Sequence, residues 1–278
     1  MEDAEYADDA CLIAECLTRI LELLEALAEE SVKFGLKINT NKTKIMPIAK
    51  EKHIWPIIKH ADKEIEVVEK FIYLGSEVKS EGGSDSEIKR RIALAGATFN
   101  RLQKIFKRHD IGIDIKLRIF NACVIPVLTY GCELWSVTKT MENRLNAAEN
   151  KWLRRILKIS YREHVTNIEV RRKTQQQTIN DTIKKRRMRW AGHVLRMEDI
   201  RNPKRIFKYK PEGKRAIGRP KRRWIDYLDD DLKAGGFSIH GKTEGRKRMT
   251  LDELASDREL WRDVMEKSVT EHSRRMIT

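Results

Sequence analysis

Two adjacent carboxylates near the start of the sequence are the residues whose type and spacing could do chemistry. Asp8 and Asp9 follow Tyr6 and precede an apolar run at residues 10–14, a pattern typical of a tight β-hairpin with acids at its tip. Such acids can hold paired Mg²⁺ ions, which activate an attacking oxygen and stabilise a leaving one in nucleotidyl transfer. An aspartate pair in a hairpin is also a common turn former, so the surrounding elements decide how the pair is interpreted.

The segments after the hairpin predict a small sheet that would position it. Leucines and isoleucines recur at spacings of three and four over residues 15–34, which predicts an amphipathic helix capped by Gly35. Strands are predicted at residues 36–39, 42–46, 64–67 and 71–75. We expect this β-containing block to end near residue 80.

The remainder of the chain is predicted to be nearly all helical. Helices are predicted at residues 85–107, 114–134, 140–159, 178–197, 222–233 and 256–267. Ser84 and Glu87 have the spacing of a capping box at a helix start, as do Ser256 and Glu259. Pro126 predicts a kink or break in the second of these helices. The segment between the fourth and fifth, residues 201–223, predicts a flexible loop because it is rich in proline, glycine and cations.

The net charge of +15 is distributed unevenly. Residues 1–30 carry ten carboxylates against Arg19 alone, a net charge of −9, whereas residues 151–224 carry 25 lysines and arginines against six acids, a net charge of +19. A basic region of that density indicates a polyanionic partner, with nucleic acid the leading candidate. A solvated surface without a partner is the alternative.

Composition also bears on the compartment. No apolar run approaches the roughly 20 residues of a membrane span, and the acidic start does not have the pattern of a signal peptide. The cysteines form neither a CxxC pair nor a zinc-knuckle pattern with histidine, so we expect reduced structural thiols in an intracellular protein. They are Cys11, Cys16, Cys123 and Cys132.

The order of the N-terminal motifs resembles the second half of the palm domain in reverse transcriptases of non-LTR (LINE-type) retrotransposons. The Tyr-Ala-Asp-Asp hairpin at residues 6–9 is followed by an amphipathic helix, by the segment 35–44 and by the segment 71–76. Farther along, residues 128–135 resemble the thumb-region helix of that family. Residues 185–197 and 213–224 resemble stretches common after the thumb in endonuclease–reverse transcriptase proteins.

The resemblance implies roles for several residues and a division of the chain. Asp8 and Asp9 would be catalytic ligands of Mg²⁺, and Lys42 would lie near the incoming triphosphate. Tyr73 and Gly75 belong to the hairpin that would grip the primer. The implied fold is α+β and mostly α. It would consist of a small, incomplete antiparallel palm sheet at residues 1–80, a helical thumb at 81–160 and a basic helical C-terminal region at 161–278.

The sequence also departs from that family. Only seven residues precede Asp8, so the fingers and the first palm carboxylate are not in this sequence. We therefore expect a fragment that does not polymerise alone, and a separate fingers and palm portion would be a partner. The trio Asp229, Asp230 and Asp231 faces different directions on a helix, so we expect a solvated face there rather than a metal site.

Basic helices are the expected contacts to an RNA template and a DNA primer or target. Trp152 and Trp190 fall on apolar stripes and are predicted to be core, which leaves the neighbouring cations free for phosphates. A nuclear location is expected from the same basic clusters. The cations expected to contact nucleic acid are Lys151, Arg154, Arg155, Lys184, Lys185, Arg186, Arg187, Arg189, Arg219, Lys221, Arg222 and Arg223.

Three hypotheses stay open from the sequence. The chain could be the palm-end, thumb and tail of an RNA-directed DNA polymerase, a non-catalytic nucleic-acid-binding module, or a decayed element product without function. The first two differ in whether Asp8 and Asp9 support catalysis, and so whether the chain is an enzyme is left open.

Overall fold

The structure is a computed structural model of the chain and describes residues 3–6, 9–48, 56–60, 63–211, 213, 218, 222–239 and 249–275. The chain divides into two compact units. The N-terminal unit comprises residues 1–73 and 78–82, and the helical unit comprises residues 74–77 and 83–278. The predicted α+β class with mostly helix is confirmed.

The N-terminal region contains one long helix and several short strands. Its elements are β1 (Asp3–Tyr6), β2 (Asp9–Leu12), α1 (Leu17–Lys33), β3 (Lys44–Ile45), β4 (Ile58–His60), β5 (Lys63–Val67), β6 (Lys70–Tyr73) and β7 (Ser76–Lys79). Strands β1 and β2 form an antiparallel hairpin, and β6 pairs with β7. Strand β5 lies between β3 and β4, parallel to the first and antiparallel to the second. The sheet expected to be antiparallel is therefore partly mixed.

The end of α1 explains one wrong prediction. Gly35 has a left-handed backbone with φ of +73°, and its N–H donates to the carbonyl of Val32, while Leu36 N–H donates to the carbonyl of Ser31. These two bonds form the Schellman cap that the glycine predicts. Residues 36–39 are not a strand, because their first amide completes the helix cap.

The helical unit contains the remaining helices. They are α2 (Asp85–Arg101), α3 (Gln103–Lys107), α4 (Ile113–Ile119), α5 (Ile125–Leu128), α6 (Lys139–Leu157), α7 (Asn167–Thr174), α8 (Ile179–Leu195), α9 (Asn202–Lys208), α10 (Trp224–Ala234), α11 (Leu251–Ser256) and α12 (Arg258–Arg275). A π-helical turn at Phe120–Val124 and short 3₁₀ turns at Cys132–Leu134 and Tyr161–Glu163 lie between them.

Helix α8 joins two apolar clusters. Ile179 and Ile183 on its first half belong to one cluster with side chains of α2, α5 and α6, whereas Met188, Ala191 and Leu195 on its second half belong to another with α10, α11 and α12. One helix thus supplies side chains to two separate apolar clusters of the unit.

The proline positions account for two features of the helical unit. At Pro126, where a kink or break is predicted, the chain stays helical from residue 113 to residue 128 without a break. The irregularity is the π turn Phe120–Val124 directly before α5, since proline has no N–H for the normal helical bond. The segment 201–223, expected to be a flexible loop, instead begins with helix α9. Pro203 is the second residue of that helix, where a missing N–H removes no intrahelical bond.

Both predicted capping boxes are wrong. Ser84 does not cap α2, because its Oγ accepts a bond from Ser136 N–H at 3.2 Å. Glu87 is used by α2's own arginines instead of by the backbone of residue 84. At α12 the cap is Asp257, whose Oδ1 accepts from the N–H groups of Glu259 and Leu260, both at 3.0 Å.

Two glycines permit helices to pack closely in the second apolar cluster. A Cβ on Gly192 would lie 2.6 Å from Trp261 Nε1, which donates to the carbonyl of Met188 at 3.1 Å. A Cβ on Gly235 would lie 2.3 Å from the carbonyl oxygen of Val264. Helix α12 therefore approaches α8 and α10 at points where any side chain would displace backbone or a tryptophan ring.

Candidate nucleic-acid interface and acidic hairpin

The acidic hairpin has the predicted pairing. Tyr6 at the end of β1 lies opposite Asp9 at the start of β2, and Asp8 falls outside the described residues. The Asp9 residue is exposed. Within the same unit, burial raises the pKa of Tyr73, and Cys11 and Asp9 raise it further through their charges. The structure thus brings Tyr73 within electrostatic range of Asp9.

The described residues do not by themselves form a two-Mg²⁺ site. Lys42 lies in a turn where its N–H donates to the carbonyl of Asn39 at 2.9 Å, and the residue is exposed. In the part of the chain that the structure describes, no cluster of three or more histidine, cysteine, aspartate or glutamate side chains could hold a metal ion. A paired-metal site needs carboxylates from more than one place, and Asp9 is the described member of the Asp8–Asp9 pair.

The turn at Gly75 is clamped by α2 within the helical unit. Its carbonyl accepts hydrogen bonds from Arg90 Nη1 at 3.2 Å and from Arg91 Nη2. Both arginines also bind Glu87, which is buried. The φ of Gly75 is +76°, a conformation that glycine adopts without strain. The backbone of this predicted primer-gripping turn is therefore rigidly hydrogen-bonded by the protein.

Tyr130 completes the clamp from the other side of the turn. Its hydroxyl donates to the carbonyl of Leu74 at 2.8 Å, and the guanidinium carbon of Arg91 lies 4.4 Å from its ring centroid. A Cβ on Gly75 would be 3.6 Å from this ring, an ordinary contact. The left-handed backbone, rather than lack of space, therefore calls for glycine at this position.

A groove runs along the helical unit between α2–α3 and α6. Two adjoining concavities of about 400 and 370 Å³ form it, and Arg155 lines both. Together they are lined by Ile92, Gly96, Phe99, Asn100, Gln103, Phe106, Lys107, His109, Ala147, Ala148, Lys151, Trp152, Arg155 and Lys158. This lining, called the basic groove below, contains cations, amides and apolar groups, and none of its described residues carries a carboxylate.

Aromatic rings form the floor of the basic groove. Trp152 is buried, which confirms the predicted core position, and its ring centroid lies 6.0 Å from that of Phe99. Phe106 stacks on the other side of Phe99 at 4.8 Å. Because these rings are packed together, they fix the groove's shape and leave the polar contacts to the side chains at its rim.

Two of the predicted cations lie at that rim. Lys151 is exposed and has no hydrogen bond or ion pair to any other described residue. Arg155 is exposed, its guanidinium carbon lies 5.2 Å from the Phe99 ring centroid, and its Nη1 donates to Asn100 Oδ1 at 3.4 Å. A planar guanidinium held over a ring keeps further N–H groups for a bidentate contact to phosphate.

Arg154, between them in sequence, has a different environment. Its Nη2 donates to the carbonyl of Val165 at 2.7 Å and to Asn167 Oδ1 at 2.9 Å. The arginine therefore ties the C-terminal part of α6 to the start of α7, and these bonds occupy donors that the sequence analysis assigned to phosphate.

Most of the lysines and arginines on α8 also bind groups within the protein. Arg187 is 3% exposed and donates to Asp231 Oδ2 at 2.5 Å, and Lys184 Nζ lies 3.8 Å from Asp231 Oδ1. Burial raises the pKa of Asp231, while Arg187 and Lys184 lower it. Arg186 donates to the carbonyl of Thr129 at 2.9 Å.

Other cations of α8 point away from this buried pair. Lys185 donates to Gln177 Oε1 at 3.2 Å. Arg189 is exposed and makes no hydrogen bond or ion pair within the described part of the chain. Trp190 is half-buried, edge-to-face with Trp224 at 5.1 Å, in agreement with a packing role.

The aspartate trio is not the solvated face that the sequence predicts. Asp231 is buried with Arg187, and Asp229 accepts from Ile239 N–H at 3.0 Å and pairs with Lys233. Asp230 alone of the three is exposed, and it pairs with Arg222. The three carboxylates face different directions, as expected for consecutive helical positions.

The basic segment before α10 is described only in part. Arg219 and Lys221 lie outside the described residues. Arg222 is exposed, and its guanidinium carbon lies 4.3 Å from the Tyr227 ring centroid. Arg223 is exposed at the helix start, where its N–H donates to Asp226 Oδ2 at 2.8 Å.

Sequence reasoning missed two groups of the basic groove. Lys107 and His109 line its larger concavity together with Lys158, but they lie at a helix end and in a loop outside the basic stretch 151–224, to which Lys158 belongs. The only signal in the sequence is that each follows or ends a predicted helix, which does not indicate that the two helix ends meet. Their proximity is a product of the α3–α6 packing.

None of the helices in the described part of the chain combines the length and apolar character of a membrane span. No family model matches the chain, and no solved structure matches it. A protein of Caenorhabditis elegans whose name describes it as transposon-derived is 28% identical over 279 residues, covering 97% of this chain and 97% of that protein. The chain is thus similar, over nearly its whole length, to a protein attributed to a transposon.

Proposed function

We propose that this chain is a transposable-element product whose helical unit binds nucleic acid through the basic groove. The observation that carries the proposal is the lining itself: exposed lysines and an arginine surround a concave surface without a carboxylate. Cations in such a groove displace the counterions of a phosphate backbone. The similarity to a transposon-derived protein supports a nucleic-acid partner.

Small side chains help to keep the groove open. Gly96, Ala147 and Ala148 line it on facing helices, and a Cβ on Gly96 would already lie 3.8 Å from Trp152. Binding by the groove therefore depends on shape as well as charge, which separates a specific interface from a diffusely basic surface.

The test is fluorescence anisotropy with labelled single-stranded and duplex oligonucleotides between about 50 and 200 mM salt. We expect log Kd to rise steeply with log salt. The double variant Lys151→Ala/Arg155→Ala should weaken binding roughly tenfold or more and reduce the slope by about 1.4, since each single-strand phosphate contact contributes about 0.7.

Two further variants serve as controls. Arg172→Ala/Lys173→Ala removes the same charge from exposed positions on α7, outside the basic groove, and should have a much smaller effect. Ala147→Leu changes no charge but narrows the groove, and it should weaken binding. Salt-independent binding, or equal losses for the α6 and α7 double variants, would contradict the proposal.

A second candidate function comes from the acidic hairpin. We infer that the N-terminal unit is a palm segment of a non-LTR reverse transcriptase, supported by the paired strands β1 and β2, the following helix α1 and the proximity of Tyr73 to Asp9. We expect no primer extension on an RNA template with Mg²⁺ or Mn²⁺ by this chain alone. Robust incorporation that Asp8→Ala abolishes would show that the expectation is wrong.

A further inference from the structure

Three nitrogen-bearing side chains meet at one end of the basic groove. Lys107 is the last residue of α3, His109 lies in the loop after it, and Lys158 directly follows α6. All three are exposed and line the concavity of about 400 Å³ whose floor includes Phe99 and Phe106.

Lys158 and His109 are in direct contact. The Lys158 Nζ lies 3.0 Å from Nδ1 and 3.1 Å from Nε2 of His109. An ammonium against an imidazole is an arrangement that an anion stabilises, because each group can donate to the same oxygen acceptor.

The nearest acid in the sequence is already bound elsewhere. Asp110 accepts from Arg108 Nε at 2.9 Å and from Arg108 Nη2. This pairing, led by the Arg108 hydrogen bond, lowers the pKa of Asp110 to about 2. The Lys116 ammonium donates to the carbonyl of Arg108. The lysines and the histidine of the concavity are consequently not neutralised by a carboxylate of its lining.

The backbone at Lys158 is an unusual place for a lysine. Its φ is +58°, the left-handed C-cap conformation that favours glycine or asparagine. Gln175 occupies the same kind of position at the end of α7, with φ of +52°. Lys158→Gly and Gln175→Gly can therefore be compared directly, because glycine adopts the left-handed backbone at both positions without strain.

The geometry points to a phosphate-binding subsite formed by Lys107, His109 and Lys158, which takes one phosphate of a single nucleic-acid strand lying along Lys151 and Arg155. The subsite rests on the proposed function of the basic groove. A single strand fits better than a duplex because the two concavities, of about 400 and 370 Å³, have room for one backbone, and a positively charged groove that follows one backbone is a mode of single-strand binding.

The decisive variant is Lys158→Gly. It removes the ammonium while relieving the left-handed backbone, so thermal stability should stay the same or rise. Affinity for a single-stranded oligonucleotide should fall about tenfold, and the salt slope should fall by about 0.7. Lys158→Arg should retain affinity, and Gln175→Gly should change neither the affinity nor the slope.

The outcomes separate the subsite from the groove. If the unaltered protein shows no salt-dependent binding, the proposed function itself fails. If it binds and Lys151→Ala/Arg155→Ala weakens it, but Lys158→Gly keeps the same affinity and slope, the subsite alone is wrong. A duplex that binds as tightly and responds equally to Lys158→Gly would overturn the assignment to a single strand.

Discussion

The helical unit has two large clusters of buried apolar side chains, although it also exposes residues such as Ile200 and Ile206, whereas the described residues of the N-terminal unit form one small cluster. Phe99 and Phe120 are essentially inaccessible, but Phe34 is 79% exposed and Leu36 64%. Among the described residues of the N-terminal unit, only Leu24, Ile58 and Ile65 are buried apolar side chains, too few to hold a long helix and short strands firmly. Helices packed on several sides bury their apolar stripes, while small sheets leave faces and edges open.

The two units differ in electrostatics as well. The helical unit buries ion pairs such as Arg187 with Asp231 and Glu149 with Arg171. The ion pairs of α1, Arg19 with Glu22 and Lys33 with Glu30, are exposed, and such pairs contribute little to stability. Among the described residues, the unit that carries the acidic hairpin thus has the smaller apolar cluster, and the ion pairs of its helix α1 are exposed, whereas the basic groove lies on the unit with buried ion pairs.

The largest expected effect is the difference in alkylation rate between the buried cysteine Cys132 and the exposed cysteines Cys16 and Cys123. Burial raises the pKa of Cys132 to about 12, opposed only in part by Arg186 and Arg187, so its thiolate is scarce at pH 8. Cys16 and Cys123 are exposed. Iodoacetamide labelling followed by peptide mass spectrometry should show Cys132 reacting roughly a thousandfold more slowly than these two. Similar rates at Cys132 and Cys123 would mean that the helical core opens readily.

Breaking the buried ion pair should destabilise the helical unit strongly. Asp231→Asn leaves Arg187 without a charged partner in a buried site, which should lower the free energy of unfolding by about 3–5 kcal/mol. Asp230→Asn is the matched control, because that neighbour is exposed and pairs with exposed Arg222; we expect a change of about 0–1 kcal/mol. Urea denaturation measures both, and equal losses would contradict the burial of Asp231.

Replacing one buried leucine in each unit by alanine should show whether the two units unfold independently. Leu153→Ala in the helical core should lower the free energy of unfolding by about 2–5 kcal/mol, and Leu24→Ala by less because its surroundings are partly open. Hydrogen exchange should then accelerate across α6 and α8 in the first variant and only around α1 in the second. Faster exchange of α8 in Leu24→Ala would show that the units unfold together.

The smallest effect is expected at the clamped turn. Tyr130→Phe removes the hydrogen bond to the carbonyl of Leu74, which should cost about 0.5–1.5 kcal/mol. The amides of residues 75–77 should exchange faster, while α8 stays protected. Tyr209→Phe, at an exposed position, is the control and should change neither. An unaltered exchange rate in Tyr130→Phe would show that the arginines alone hold the turn.

Local patterns predicted much of the fold. The leucine spacing of α1, the cap at Gly35 and the helical irregularity before Pro126 each depend on a few consecutive residues, so the sequence was sufficient. The hairpin at residues 3–12 was predictable for the same reason. The pattern does not predict helix α9, because proline and glycine favour a loop, although proline at a helix start is well tolerated.

The sequence by itself determined most of the long helices, the hairpin and the uneven distribution of charge, but not the short helices α7, α9 and α11. Propensity, periodicity and formal charge are local properties. Only the tertiary structure decided which charged side chains remain exposed and able to contact a polyanionic partner. Arg187 and Asp231 are distant in sequence and bind each other in the core, Arg154 ties two helices together, and Lys107, His109 and Lys158 meet because α3 packs on α6. Burial and pairing depend on which helix faces which, so a basic run predicts a polyanionic partner but not the residues that contact it.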